Sequence, residues 1–223
     1  MAIETKQNNI DKYILIGRCD CDSVVKFPFY WCEEIIDEAE KVGINVIDLK
    51  RENFSEEKVT KHINDKKPRL ILLNGHGDEI CAMGYNQTPV ITLNKNDYLL
   101  KDKIAHIISC KTALLLGQFA IDKGCKGYLG YEGLFHIKNI HPEPDKDKVS
   151  KMFKEAVNIA SKTLLAGKGI KEAFINSQEV YEKHISACKK IYFDISFSDT
   201  ERDFMQGVIG ALEENKKNQV FIC

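Results

Sequence analysis

A histidine and a cysteine, each closing a short apolar run, mark the chemistry this chain has the residues to perform. His76 stands in Leu72-Leu73-Asn74-Gly75-His76-Gly77, and Cys110 in His106-Ile107-Ile108-Ser109-Cys110. The runs 69–73 and 104–108 are rich in Ile and Leu and read as buried strands. Residues at the ends of neighbouring parallel strands emerge on one edge of a sheet, the edge where open α/β sheets bind ligands. A thiol beside an imidazole is the minimum set for nucleophilic acyl transfer. Cys110 would attack as the thiolate, and His76 would act as general base or acid. The backbone N–H groups of Gly77 and Cys110 are the candidate oxyanion donors, each such donor being worth roughly 10²–10³ in rate. Gly77, having no side chain, would let a substrate backbone come close. The competing reading makes Cys110 a small buried hydrophobe and His76 a hydrogen-bonded turn residue.

The elements that would position this pair follow from periodicity. Residues 12–17 form a near-continuous apolar run and predict a first strand. Residues 19–29 read as loop. Trp31, Ile35, Ile36, Ala39 and Val42 recur at helical spacing over 30–42, and Gly43 ends that helix. A second strand is expected over 44–49, and Ser55 with Glu56 and Glu57 opens a helix running to about residue 64. Two apolar stretches, 80–83 and 90–93, flank Gly84-Tyr85-Asn86-Gln87-Thr88-Pro89 and predict a small hairpin between the His and Cys strands. One helical turn is expected within 94–100. A helix over 114–123 and a strand over 126–131 follow Cys110. Residues 134–148 read as a long loop, and 149–166, 170–189 and 199–214 as helices. A strand over 191–197 is expected to interrupt the helices, and 219–222 to form a short edge strand. Alternating strands and helices predict an α/β fold, a central and mostly parallel sheet of about six strands flanked by helices. The whole of 1–223 is expected to form one domain, with 150–223 its helical C-terminal part or a small appendage.

Bulk composition narrows the function classes. Hydrophobic residues are 43% and charged residues 29%, enough for a packed core. Lys and Arg number 32 against 33 Asp and Glu, a net charge of −1, so nothing draws the chain electrostatically to nucleic acid. No apolar run reaches the roughly 18–20 residues of a membrane span, and the polar N-terminus is unlike a signal or transit peptide. The expected compartment is the cytoplasm, and the eight cysteines are expected to be reduced. Cys19 and Cys21 lack a second Cys/His pair at zinc-finger spacing. Dinucleotide, P-loop, serine-hydrolase and zincin motifs are missing. No cofactor and no metal are expected.

In its ordered segments the sequence resembles the caspase–gingipain group of cysteine peptidases, including the caspase-like CHAT domains. The likeness rests on an apolar strand ending in His76-Gly77, a second ending in Ser109-Cys110, and a hairpin between them. It continues through Lys111-Thr112-Ala113 and Gly127-Tyr128-Leu129-Gly130-Tyr131-Glu132, covering about residues 12–135. The resemblance implies a three-layer caspase-like sandwich, with Cys110 as nucleophile, His76 as general acid/base and the amides of Gly77 and Cys110 as oxyanion hole. The reaction implied is peptide-bond hydrolysis through an acyl-enzyme. The group needs no third catalytic member, and the sequence shows no obvious one. Several gingipain-like relatives favour Arg or Lys before the scissile bond and hold it with an acidic residue, which makes Asp20, Asp22 and Glu132 the candidate substrate-binding residues. Arg18 is the opposite candidate, a cation for an acidic substrate residue. Lys111 would either lower the thiol pKa or face solvent, His106 is expected in the core, Cys125 is expected to be structural, and His136 and His141 to be exposed. The acid-rich loop 143–147 reads as solvated. The implied partners are a peptide or protein substrate and an activating protein or second copy docked on the C-terminal helices. Two other readings stay open: a silent or regulatory domain that binds a peptide or partner in the same cleft, and a thiol hydrolase of small amides.

Overall fold

The computed structural model describes residues 12–193 and 198–223. Its centre is a six-stranded sheet built from β1 (Tyr13–Arg18), β2 (Asn45–Lys50), β3 (Leu70–Asn74), β6 (Ile104–Ile108), β7 (Gly127–Tyr131) and β8 (Gln219–Ile222). The order across the sheet is β2-β1-β3-β6-β7-β8, parallel throughout except β8, which runs antiparallel against β7. The interior strands are buried on both faces, which is why they read as continuous apolar runs rather than alternating ones.

The period of two divides each strand between two layers. Leu15, Ile71, Leu73, Ala105 and Ile107 pack with Val59 and Ile63 of α2 (Glu56–Lys66) and Ala120 of α3 (Gln118–Asp122). Ile14, Ile16, Leu70 and Leu72 face the other way, onto α1 (Lys26–Lys41), α4 (Ser150–Leu165) and α5 (Ile170–Tyr192). With helices on both faces the fold is a three-layer α/β/α sandwich. The last helix, α6 (Asp199–Asn218), packs with α4 and α5 and delivers the chain into β8, so the C-terminal third ends inside the central sheet. α6 begins with a capping box, Ser198 accepting from the N–H of Glu201 while Glu201 reaches back to the N–H of Ser198. The expected hairpin is β4 (Cys81–Met83) paired with β5 (Pro89–Thr92).

Three expectations are corrected here. The helix expected over 30–42 starts earlier, at Lys26, because Asp22 caps the turn before it. The helix expected over 114–123 is two pieces, a π-helical turn Ala113–Gly117 followed by α3. The strand expected over 191–197 does not begin where predicted: Ile191 and Tyr192 are the last turn of α5, Phe193 caps it, and 194–197 lie outside the described residues.

Candidate active site

Register places the two reactive side chains. Arg18 of β1 is level with Asn74 of β3, and Asn74 with Ile108 of β6. His76 lies two residues beyond Asn74 and Cys110 two beyond Ile108, so both leave adjacent strands at the same height. Adjacent strands lie ~4.8 Å apart, and the two residues line one cleft together with Gly75, Ser109 and Phe135. The loops carrying them are stitched to each other. The N–H of Gly75 donates to the carbonyl of Ile108 at 3.4 Å, and the Ser109 hydroxyl donates to the carbonyl of Gly75 at 3.0 Å.

Gly77 has a different reason to be glycine from the one expected. A Cβ there would meet Thr112 Cγ2 at 2.7 Å and Ser109 Cβ at 2.8 Å. The missing side chain makes room for the Ser109–Thr112 loop, not for a substrate backbone. The β4–β5 hairpin holds the other side: Met83 N–H donates to His76 C=O, Asp78 N–H donates to Cys81 C=O, and Gly77 faces Ala82 between them. In that pattern Gly77 is the non-hydrogen-bonded partner, so its own N–H points away from the hairpin. The Gly77 N–H is therefore not spent on the hairpin.

The turn after Cys110 is tight. Lys111 has φ +60°, in the left-handed region uncommon for a residue with a side chain, and its N–H donates to Gly133 C=O. Its ammonium lies 3.6 Å from Glu79, so the solvent-facing reading of Lys111 applies. The π-turn follows directly, an irregularity frequent at functional sites. Cys110 Sγ accepts a hydrogen bond from the N–H of Phe135 at 3.4 Å.

His76 has a partner that sequence reading assigned elsewhere. Its Nε2 lies 2.6 Å from Asp22 Oδ2, while Asp22 Oδ1 accepts from the N–H groups of Val24 and Val25 at 2.8 and 3.1 Å. Burial works to raise the Asp22 pKa, but the bonds from His76 and the two amides outweigh it and hold the carboxyl below its usual value. An ionised Asp22 fixes the N–H on Nε2 and leaves Nδ1 for proton exchange. Asp22 is therefore committed to His76 rather than waiting for a substrate. The other candidate acids are likewise engaged or remote. Asp20 forms a two-pronged ion pair with Arg51, at 3.1 Å from Nε and 2.8 Å from Nη2. Glu132 is exposed and outside the cleft, its backbone N–H held by Asn218. Arg18 is only 1% exposed: it bonds both Asp48 oxygens, Glu33 and the carbonyl of Phe29, and its guanidinium lies over the Phe29 ring. That overturns its reading as a cation for substrate; it fastens β1 to β2 and α1.

The remaining titratable candidates fall outside the cleft. His106 is fully buried against Ser161 of α4, and burial alone pushes its pKa down to about 3. Cys125 is buried with its thiol on the carbonyls of Lys103 and Gly127. His136 and His141 sit in the long loop, His136 against Glu214 and His141 accepting from the N–H of Glu143. Asp147, in the acid-rich loop, is buried rather than solvated, accepting from the N–H groups of Ile140, His141 and Ser150. Among the described residues no cluster of three or more His, Cys, Asp or Glu side chains could hold a metal ion, and no helix is long and apolar enough to cross a membrane. A hollow of about 410 Å³ lies at the opposite edge of the sheet, by Tyr13 and Leu70 at the strand starts, away from both reactive residues.

No family model matches the chain, and no curated protein matches it.

Proposed function

We propose that the protein is a cysteine peptidase in which Cys110 is the nucleophile, His76 the general acid/base and Asp22 the residue that positions His76. The observation that carries this reading is that Cys110 and His76 line one cleft at the carboxyl ends of adjacent parallel strands, with the His76 ring pinned by Asp22 at 2.6 Å. In the reaction, Nδ1 of His76 takes the thiol proton and the sulfur adds to the scissile carbonyl, whose oxygen turns toward the Gly77 and Cys110 amides. As the C–N bond breaks, His76 returns the proton to the leaving amine. Water then attacks the thioester with His76 as base, releasing the carboxylate and restoring the thiol. The resemblance to the caspase–gingipain group supports the same assignment, and the fold supplies the sheet edge it needs.

A second reading has its own support. The cleft leaves only about 20 Å³ free, and the N–H of Phe135 sits on the nucleophile. A closed cleft fits a domain that binds a partner instead of turning over substrate. The experiment that separates them is cleavage of a fluorogenic peptide library in reducing buffer by the wild type, Cys110→Ala and His76→Ala. The peptidase reading expects turnover that both substitutions reduce by at least ~10³-fold. Turnover that survives in Cys110→Ala sinks the assignment.

A further inference from the structure

The walls of the cleft around Cys110 and His76 are Val24, Val25, Pro28, Ile108, Phe135 and Ile137. Val24 and Ile137 also wall a second hollow, of about 230 Å³, floored by Phe27. The space directly beside the sulfur holds about one water molecule. The second hollow is larger than the ~150 Å³ that suffices for benzene, so its volume suits a branched aliphatic or phenyl side chain, and it shares the Val24 and Ile137 walls with the space beside the sulfur.

Charge decides what that side chain can be. None of the described residues lining either hollow is acidic. Asp20 is tied to Arg51 and Asp22 to His76, so neither carboxylate is available to an incoming cation. Lys26, which lines the second hollow, would repel a guanidinium or ammonium group. A substrate carboxylate would reach the Lys26 ammonium, which also donates to the Pro142 carbonyl at 3.3 Å, only past the apolar side chains of Val24, Val25, Pro28, Phe135 and Ile137 that surround the sulfur. Burying a cation there without a counter-charge is costly, and a carboxylate loses its water beside the apolar walls before it meets Lys26, whereas an apolar side chain gains by leaving water.

We propose that these two hollows form the pocket for the substrate residue whose carbonyl Cys110 attacks, and that the pocket selects an uncharged apolar side chain of leucine to phenylalanine size. The proposal rests on the peptidase reading and replaces the basic preference that the sequence suggested. Peptidyl chloromethyl ketones of the form acetyl-Ala-Ala-X test it, because the nucleophilic sulfur displaces chloride and the adduct is read by mass on the Cys110 peptide. With X as Leu or Phe the alkylation of Cys110 is expected at least ~10-fold faster than with X as Arg, Asp or Gly. Val24 is half exposed, so Val24→Asp is expected to fold and to shift the fastest probe to X as Arg. Arg or Asp as the fastest probe on the wild type overturns the pocket assignment and leaves the peptidase reading standing. Equal rates for all five probes overturn it as well. Alkylation by iodoacetamide with no response to any peptidyl probe takes the peptidase reading down together with it.

Discussion

Asp22 divides its two oxygens between two tasks, and that division defines its role. Oδ1 closes the turn into α1 and Oδ2 orients His76. A residue that positions the base acts on the chemical step, whereas one that holds substrate acts on binding, and kinetics separate the two. Asp22→Asn preserves the shape and removes the charge. It is expected to lower kcat by about 10²-fold, at the low end of the general acid–base range, with KM changed less than ~2-fold. Asp22→Glu is expected to recover part of the loss. A raised KM with kcat intact would instead return Asp22 to the substrate-binding role. Because the Asp22 carboxyl is held below its ordinary value, its support of His76 is present at neutral pH and is lost only as acid protonates it, below the usual carboxylate range.

At the scale of elements, the segment after β7 is what closes the cleft. Phe135 leans on Tyr131 with ring centroids 4.8 Å apart, and Asn215 of α6 clasps His136 on both sides. The Asn215 side chain accepts from the His136 N–H and donates to its carbonyl, each at 2.7 Å. Asn218 holds the Leu134 carbonyl and Glu214 faces the His136 ring. Asn215 and Asn218 on one helix face thus fix the backbone that lies over Cys110, and Glu214 beside them holds the His136 side chain. Asn215→Ala leaves two backbone groups unpartnered, at a cost of about 1–3 kcal/mol. Iodoacetamide alkylation of Cys110, followed on its own peptide, is expected to rise by about 10-fold as the Phe135 N–H leaves the sulfur. An unchanged rate in a folded variant would mean that the clasp does not govern access. In the same helical layer, burial opposes ionisation of Glu34, yet hydrogen bonds from Lys162, Asn158 and Lys154 hold its pKa at about 2, tying α1 to α4.

Across the whole molecule, acid stability is governed in part by His106, which joins β6 to α4. The folded protein binds its proton only near pH 3, while the unfolded chain binds it near 6.5. The group's contribution is therefore complete above pH 6.5 and falls as the pH drops toward 3, by roughly 1.4 kcal/mol per pH unit. Denaturant unfolding of wild type and His106→Leu at pH 7.5, 6 and 5 isolates it. The variant is expected to be less stable at pH 7.5, because Ser161 loses its partner, and to show a flatter pH dependence. Parallel curves for the two proteins would show that His106 is protonated without unfolding. The Glu34 contribution belongs to a lower window, lost as pH falls from its ordinary 4.5 toward about 2, and does not confuse the comparison.

Local sequence patterns specified the interior strands, their burial on both faces and the placing of His76 and Cys110 at neighbouring strand ends. Those patterns are Ile/Leu runs of strand length, turn residues after each, and helical spacing between them. The sequence also showed the hairpin between the two reactive loops. What Asp22, Arg18 and Gly77 do was decided only in three dimensions. Asp22 reaches His76 because β1 lies beside β3, an adjacency set by sheet order across 54 residues of chain. An aspartate ahead of a helix looks like a turn former, and its first oxygen closes the turn before α1; nothing local reports its second oxygen. Arg18 ends a strand, where exposure is the ordinary expectation, but α1 folds over it with Glu33 while β2 supplies Asp48. Gly77 is fixed by the side chains of Ser109 and Thr112, which arrive on another loop. The closure of the cleft was equally invisible, since it depends on Asn215 meeting His136 from 79 residues away. Local propensity specifies elements, and the partners of polar side chains are specified by which elements the core brings together.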